Sequence, residues 1–186
     1  MAAKGVVGLM GDRSGRYSDD PVSIWTRKTT GITQIEDLAG RKVLKLLPSG
    51  RFTEGLALSP DGATAFVANG EEHSISVVQT ATHEIVRTLR TGTEIHDVRV
   101  TQDGRYLFGT AAHINRVFVY ALPEYRLIAR IPQEKRPDLI WFTPDGKEAW
   151  VTNRHAASVS VINVETLETV AVIPVGNNPH GIVIVP

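Results

Sequence analysis

Apolar and polar residues alternate in short stretches along most of this chain, and the stretches recur at a fixed step. Ser74-Ile75-Ser76-Val77-Val78, Arg116-Val117-Phe118-Val119-Tyr120 and Ser158-Val159-Ser160-Val161-Ile162 each set apolar side chains at a period of two or nearly so, which predicts half-buried strands. The step between them is 42 residues. Turn signals keep the same step: Ser59-Pro60-Asp61-Gly62, Thr101-Gln102-Asp103-Gly104 and Thr143-Pro144-Asp145-Gly146. Pro at the second turn position pre-sets φ, Asp bonds nearby backbone and Gly closes the turn, so the Gln102 copy reads as the weakest of the three.

Around these landmarks each period holds four strands. Strand A is Leu56-Ala57-Leu58, Val98-Arg99-Val100 or Ile140-Trp141-Phe142, and strand B is 65–69, 107–111 or 149–153. Strand C is the alternating stretch above, and strand D runs over 84–89, 126–131 or 168–173. Four short antiparallel strands per 42 residues, with no helical period among them, are the content of one β-propeller blade. A helical solenoid is excluded. The expected fold is all-β, with blades at 51–92, 93–134 and 135–176.

Two resemblances accompany this pattern. Leu58-Ser59-Pro60-Asp61-Gly62 through Phe66-Val67-Ala68-Asn69, Pro144-Asp145-Gly146 through Trp150-Val151-Thr152-Asn153, and the ending Ile173 to Ile182 resemble YVTN-type propeller repeats. The resemblance covers residues 51–186 and departs from the pattern at Gln102, Gly109 and Ala111. It implies a propeller, commonly seven-bladed and periplasmic or otherwise extracytoplasmic, that serves as a binding or scaffold protein, with relatives that carry haem or hydrolyse lactones. Residues 5–47, with Pro21-Val22-Ser23-Ile24-Trp25 and Asp37-Leu38-Ala39-Gly40, are also similar to part of a periplasmic ABC-transporter substrate-binding protein. That second match is too short to imply ligand binding.

The ends leave two readings open. Residues 177–186 amount to a strand A with no B, C and D after it, while 19–50, shifted by one period, align with strands B to D. Together they make a fourth, closing blade that removes exposed sheet edges. In the other reading the segment is an unclosed remnant, possible in a fragment or fusion without independent activity. Closure implies a monomer and an open edge implies a homo-oligomer; residues 1–18 fit no blade.

Composition narrows the partners. Lys plus Arg and Asp plus Glu each number 20, so the net charge is zero and offers no surplus for a phosphate backbone; nucleic acid is not expected. No apolar run approaches the roughly 20 residues that span a bilayer, and the opening residues are too short an apolar run for a signal peptide, so no membrane insertion is expected. With no cysteine, disulfides and thiolate chemistry are excluded.

Candidate chemistry comes from the repeat register. Glu54, His96, Asp138 and His180 occupy one equivalent position leading into strand A, where a propeller places its channel mouth. Glu71, His113 and His155 are equivalent in the B-to-C loop, on the same predicted face. Trp141 is equivalent to Ala57 and is a candidate to fill space between blades or to stack on a ligand. Asp97 and Arg99 are expected to pair on one strand face. The leading expectation is a non-catalytic binder of a protein, peptide or small ligand at this mouth, with no catalytic residues and no cofactor. The alternative is a metalloprotein or lactonase-like hydrolase in which Glu54, His96, Asp138 and His180 hold a divalent metal, since imidazole and carboxylate form such donor sets.

Overall fold

The computed structural model describes residues 47–184. Each 42-residue period folds into one four-stranded antiparallel sheet in chain order. The first blade holds β1 (Thr53–Leu58), β2 (Thr64–Asn69), β3 (Ser74–Gln79) and β4 (Glu84–Arg90). The second holds β5 (Val98–Val100), β6 (Tyr106–Ala111), β7 (Arg116–Ala121) and β8 (Arg126–Pro132), and the third β9 (Pro137–Phe142), β10 (Glu148–Asn153), β11 (Ser158–Asn163) and β12 (Glu168–Pro174). All twelve expected strands form, within a few residues of their expected ends. Among the described residues the only helix is a single 3-10 turn at Ala112–Ile114, and none is long and apolar enough to cross a membrane.

The A-to-B turns show why the period is so regular. In each, the Ser or Thr hydroxyl donates to the Asp carboxylate (2.6, 2.7 and 2.6 Å), and the same Asp oxygen accepts the amide two residues on. The turn glycines close the loop at φ of 71°, 74° and 70°, the left-handed region that a side chain would strain. The Gln102 copy keeps this geometry. The same bonds form there, and the Gln102 amide also donates to the Thr143 carbonyl of the next blade at 3.3 Å.

Both faces of a blade carry apolar side chains, and where two described blades meet, the facing sides bury each other. One face of the first blade (Ala57, Phe66, Ala68, Ile75, Val77, Leu89) packs on Ile95, Val98, Leu107 and Tyr120 of the second. Phe108, Val117, Val119 and Ile131 repeat the arrangement against Ile140, Ala149, Val151 and Ile162 of the third. The other face of the first blade gathers Ala65, Val67 and Val78 with Leu56, Leu58, Ile85 and Leu47. Residues 181–184, expected as the inner strand of a closing blade, form no strand among the described residues, and the segment expected to pair with them, 19–46, lies outside the described residues.

Polar groups enter the interior in an ordered way. Asn69 donates to the hydroxyls of Ser74 and Ser76 at 3.2 and 2.9 Å, and Asn153 donates to Ser158 and Ser160 at 3.1 and 2.8 Å. Both asparagines are fully buried. The middle blade replaces this triad with Ala111, Arg116 and Phe118, so departures from the repeat that look like damage in the sequence exchange a hydrogen-bonded interior for a more apolar one.

Two outcomes are expected. Asn153→Ala strands two buried hydroxyls and costs about 1–3 kcal/mol by urea unfolding. Asp103 gives a pH signature. Partial burial works against its ionisation, but the Thr101 hydroxyl, the Arg105 amide and the Arg105 guanidinium prevail and hold the carboxyl down at about 2. A carboxyl lowered on folding stabilises above its unfolded value of about 4, and that contribution is lost as pH falls from there toward about 2. Asp103 is half exposed, so the expected gain over Asp103→Asn is below about 1 kcal/mol at pH 6 and is mostly lost by about pH 2.

Candidate functional site

The repeat register carries Glu54, His96 and Asp138 from three different blades to one point. Glu54 lies on β1, His96 just ahead of β5 and Asp138 on β9. The His96 ring stands between the carboxylates, with Nε2 3.3 Å from Glu54 Oε1 and Nδ1 3.1 Å from Asp138 Oδ1. His96 is 6% exposed and Asp138 is fully buried. Asp138 also faces His180 Nε2 at 3.8 Å and Arg154 Nη1 at 3.9 Å. The two imidazoles meet edge to face with ring centroids 6.3 Å apart. All four residues expected at the mouth are therefore neighbours.

They meet as a chain of pairs. His96 spends each ring nitrogen on a different carboxylate, and among the described residues no group of three His, Asp or Glu side chains is disposed to hold a metal ion. The four residues anticipated from residue type thus stand as a clasp of imidazole–carboxyl pairs reaching across the blades.

Backbone and hydroxyl contacts fix the clasp. The Thr110 hydroxyl accepts from the Asp97 amide at 2.9 Å and donates to the Asp138 carbonyl of the next blade at 2.8 Å. One period later Thr152 accepts from the Leu139 amide at 3.0 Å and donates to the His180 carbonyl at 3.1 Å. These relays were not anticipated, although the shared register of the two threonines was visible. Asp97 and Arg99 pair as expected, at 3.4 Å, and both reach Ile140: its amide donates to Asp97 at 3.1 Å and its carbonyl accepts from Arg99 at 3.2 Å. Burial pushes the Asp97 carboxyl up, against the Arg99 charge and the Ile140 amide. The Arg99 guanidinium also lies 5.0 Å from the Trp141 ring centre, so Trp141 is held between blades by a cation.

Beside the clasp the loops expected on the same face form an open cleft of about 500 Å³, lined by Arg51, Phe52, Gly70, Glu71, His73, Glu94 and His113. Glu71 faces Arg51 at 3.6 Å, and His113 Nδ1 faces Glu94 at 2.9 Å. His155 is exposed and stands apart from this cleft. Arg51, Phe52, Glu94 and His73 were missed; Glu94 shares the register of Phe52, but its pairing with His113 needed the loop conformations. A larger cleft of about 640 Å³ lies at the opposite end, among the Asp-Gly turns, lined by exposed groups such as Asp103, Arg105 and Lys147.

The clasp predicts an ordered pair of mutational effects. His96→Ala leaves the buried Asp138 carboxylate without its 3.1 Å partner and costs about 3–5 kcal/mol. His180→Ala removes a half-exposed contact at 3.8 Å and costs about 1 kcal/mol or less. Urea midpoints of the two variants measure the difference.

No known family description matches the chain, and no curated protein matches it in sequence. Solved structures do. Hydrazine synthase of Kuenenia stuttgartiensis is 26% identical, with a TM-score of 0.65 over 75% of this chain and 40% of that one. A functionally unknown protein from Desulfotomaculum acetoxidans is 17% identical, with a TM-score of 0.62 over 68% of this chain and 44% of that one. The WD40 repeats of RRP9 are 16% identical, with a TM-score of 0.61 over 66% of this chain and 38% of that one. The match spans about two fifths of each of these proteins. The described blades are of the β-propeller class.

Proposed function

We propose that the chain is a YVTN-type propeller protein that binds a protein or peptide partner, without catalysis, at the face carrying the Arg51–His113 cleft. The observation that supports this reading most directly is the chemistry of that face. An aromatic side chain (Phe52), a cation (Arg51), carboxylates (Glu71, Glu94) and imidazoles (His73, His113) line one open cleft, while His96 and Asp138 of the clasp are buried and face each other. Such a surface offers hydrogen-bonding and ionic contacts on a rigid floor, which suits recognition. The likeness to WD40 repeats supports a binding role at the level of fold.

Selection of a displayed random-peptide library on the immobilised protein tests the assignment. A selected peptide is expected to lose about tenfold in affinity with Arg51→Glu or His113→Ala and to be unaffected by Lys147→Ala on the opposite face. Peptides indifferent to both cleft variants, or no selected peptide at all, would overturn it.

A further inference from the structure

We propose that the seam between the first and second blades, along their last strands β4 and β8, is a docking site for an acidic segment of a partner protein, its carboxylates held by Arg87 of one blade and Arg130 of the next. Neither arginine lines the Arg51–His113 cleft or the cleft among the Asp-Gly turns, so this surface is separate from the one assigned above.

Strand register puts both arginines in this seam. Arg87 stands opposite Val77 across β3 and β4, and Val77 packs toward the second blade. Arg130 stands opposite Phe118 across β7 and β8, and Phe118 joins the same cluster from the other side. Residues directly opposite in an antiparallel pair share a face, so the two side chains enter the seam from its two walls. Each guanidinium lies on a ring. Arg87 is 5.2 Å from the ring centre of Tyr125, and Arg130 is 5.3 Å from that of Phe118.

What these arginines lack is an acid. Both are exposed, and among the described residues neither pairs with a carboxylate, whereas Arg51, Arg99, Arg105 and Arg154 all do. A guanidinium resting on an aromatic face is already ordered and keeps its N–H donors at its edge, in one plane. That is the arrangement that receives a carboxylate through two parallel bonds.

A third donor in the seam is also unspent. Tyr120 is 4% exposed, and among the described residues its hydroxyl has no hydrogen-bond partner. Burial pushes the phenol up to about 12, against the nearby Arg130 charge, so the group remains a donor at neutral pH. A buried hydroxyl without an acceptor costs free energy that an incoming acceptor recovers. Two cations and a buried phenol thus lack the same complement, an anionic oxygen.

The repeat shows that joining two blades does not require this chemistry. In the seam between the second and third blades, the equivalents of Arg87, Arg130, Tyr120, Tyr125 and Phe118 are Ala129, Val172, Ile162, Leu167 and Ser160. Ala129, Ile162 and Leu167 belong there to the apolar cluster, and that seam closes with no cation at these positions. The first seam has exchanged five positions together. A carboxylate-bearing peptide is the favoured complement, because the chain as a whole has no net positive charge with which to hold a phosphate backbone.

Fluorescence anisotropy of labelled hexaglutamate, titrated with the unmodified protein at low ionic strength, tests the site. Saturable binding is expected, weakened about tenfold by Arg87→Gln or Arg130→Gln and about threefold by Tyr120→Phe. Arg90→Gln removes the same charge from the same strand on the Ser74 face, and is expected to change affinity by less than about twofold. The three arginines are exposed, so their variants are expected to keep the parent's urea midpoint. No saturable binding, unchanged affinity in any of the three seam variants, or an equal loss in Arg90→Gln and Arg87→Gln overturns the proposal. So does displacement of the label more readily by a short DNA duplex than by unlabelled hexaglutamate.

Discussion

A four-stranded sheet with two apolar faces is not stable alone in water, and that constraint governs this molecule. At the two junctions between described blades, one blade presents Ile75 or its equivalent Val117 and the next receives it. Burial of this kind is worth roughly 25 cal/mol per Å² of apolar surface, and it accumulates only when blades stand side by side in register. The period of 42 residues is the sequence record of that requirement. Turns, relays and clasp all depend on the register it enforces.

Within that frame the polar interior divides its work. At one end of the sheets the Asp-Gly turns satisfy themselves, with hydroxyl, carboxylate and amide meeting locally. At the other end Thr110 and Thr152 carry hydrogen bonds from one blade to the next, and His96 lies between carboxylates on either side of it. The end with the threonine relays and the clasp is also the end with the Arg51–His113 cleft.

Much of this was legible before any coordinates. Strand positions followed from period-two alternation between turn signals, because a half-buried strand has few other ways to distribute its side chains. The convergence of Glu54, His96, Asp138 and His180 followed from register alone, since equivalent residues of a ring face one axis. What register does not encode is the direction in which a side chain completes its valence. His96 turns one ring nitrogen toward each of two carboxylates, and that depends on rotamers. The cleft was half legible for a similar reason: Glu71 and His113 were placed on the correct face, while Arg51 and Glu94 join them through loop paths that no periodicity describes. Gln102 shows the opposite error, where a departure from the turn pattern is compensated by a contact across blades.

The exchange of Asn-Ser-Ser for Ala111, Arg116 and Phe118 in the middle blade has a further consequence. Tandem repeats of like sequence are prone to mispair during folding, because a strand from one unit fits the slot of another. A strand bearing Phe118 does not fit a slot shaped around two buried serines, and a strand bearing Ser76 or Ser160 would leave hydroxyls stranded in the apolar one. The middle unit is thereby marked as different from both neighbours. The chain carries its own proofreading against shuffled assembly, written in a place that reads, in the sequence, as decay of the repeat.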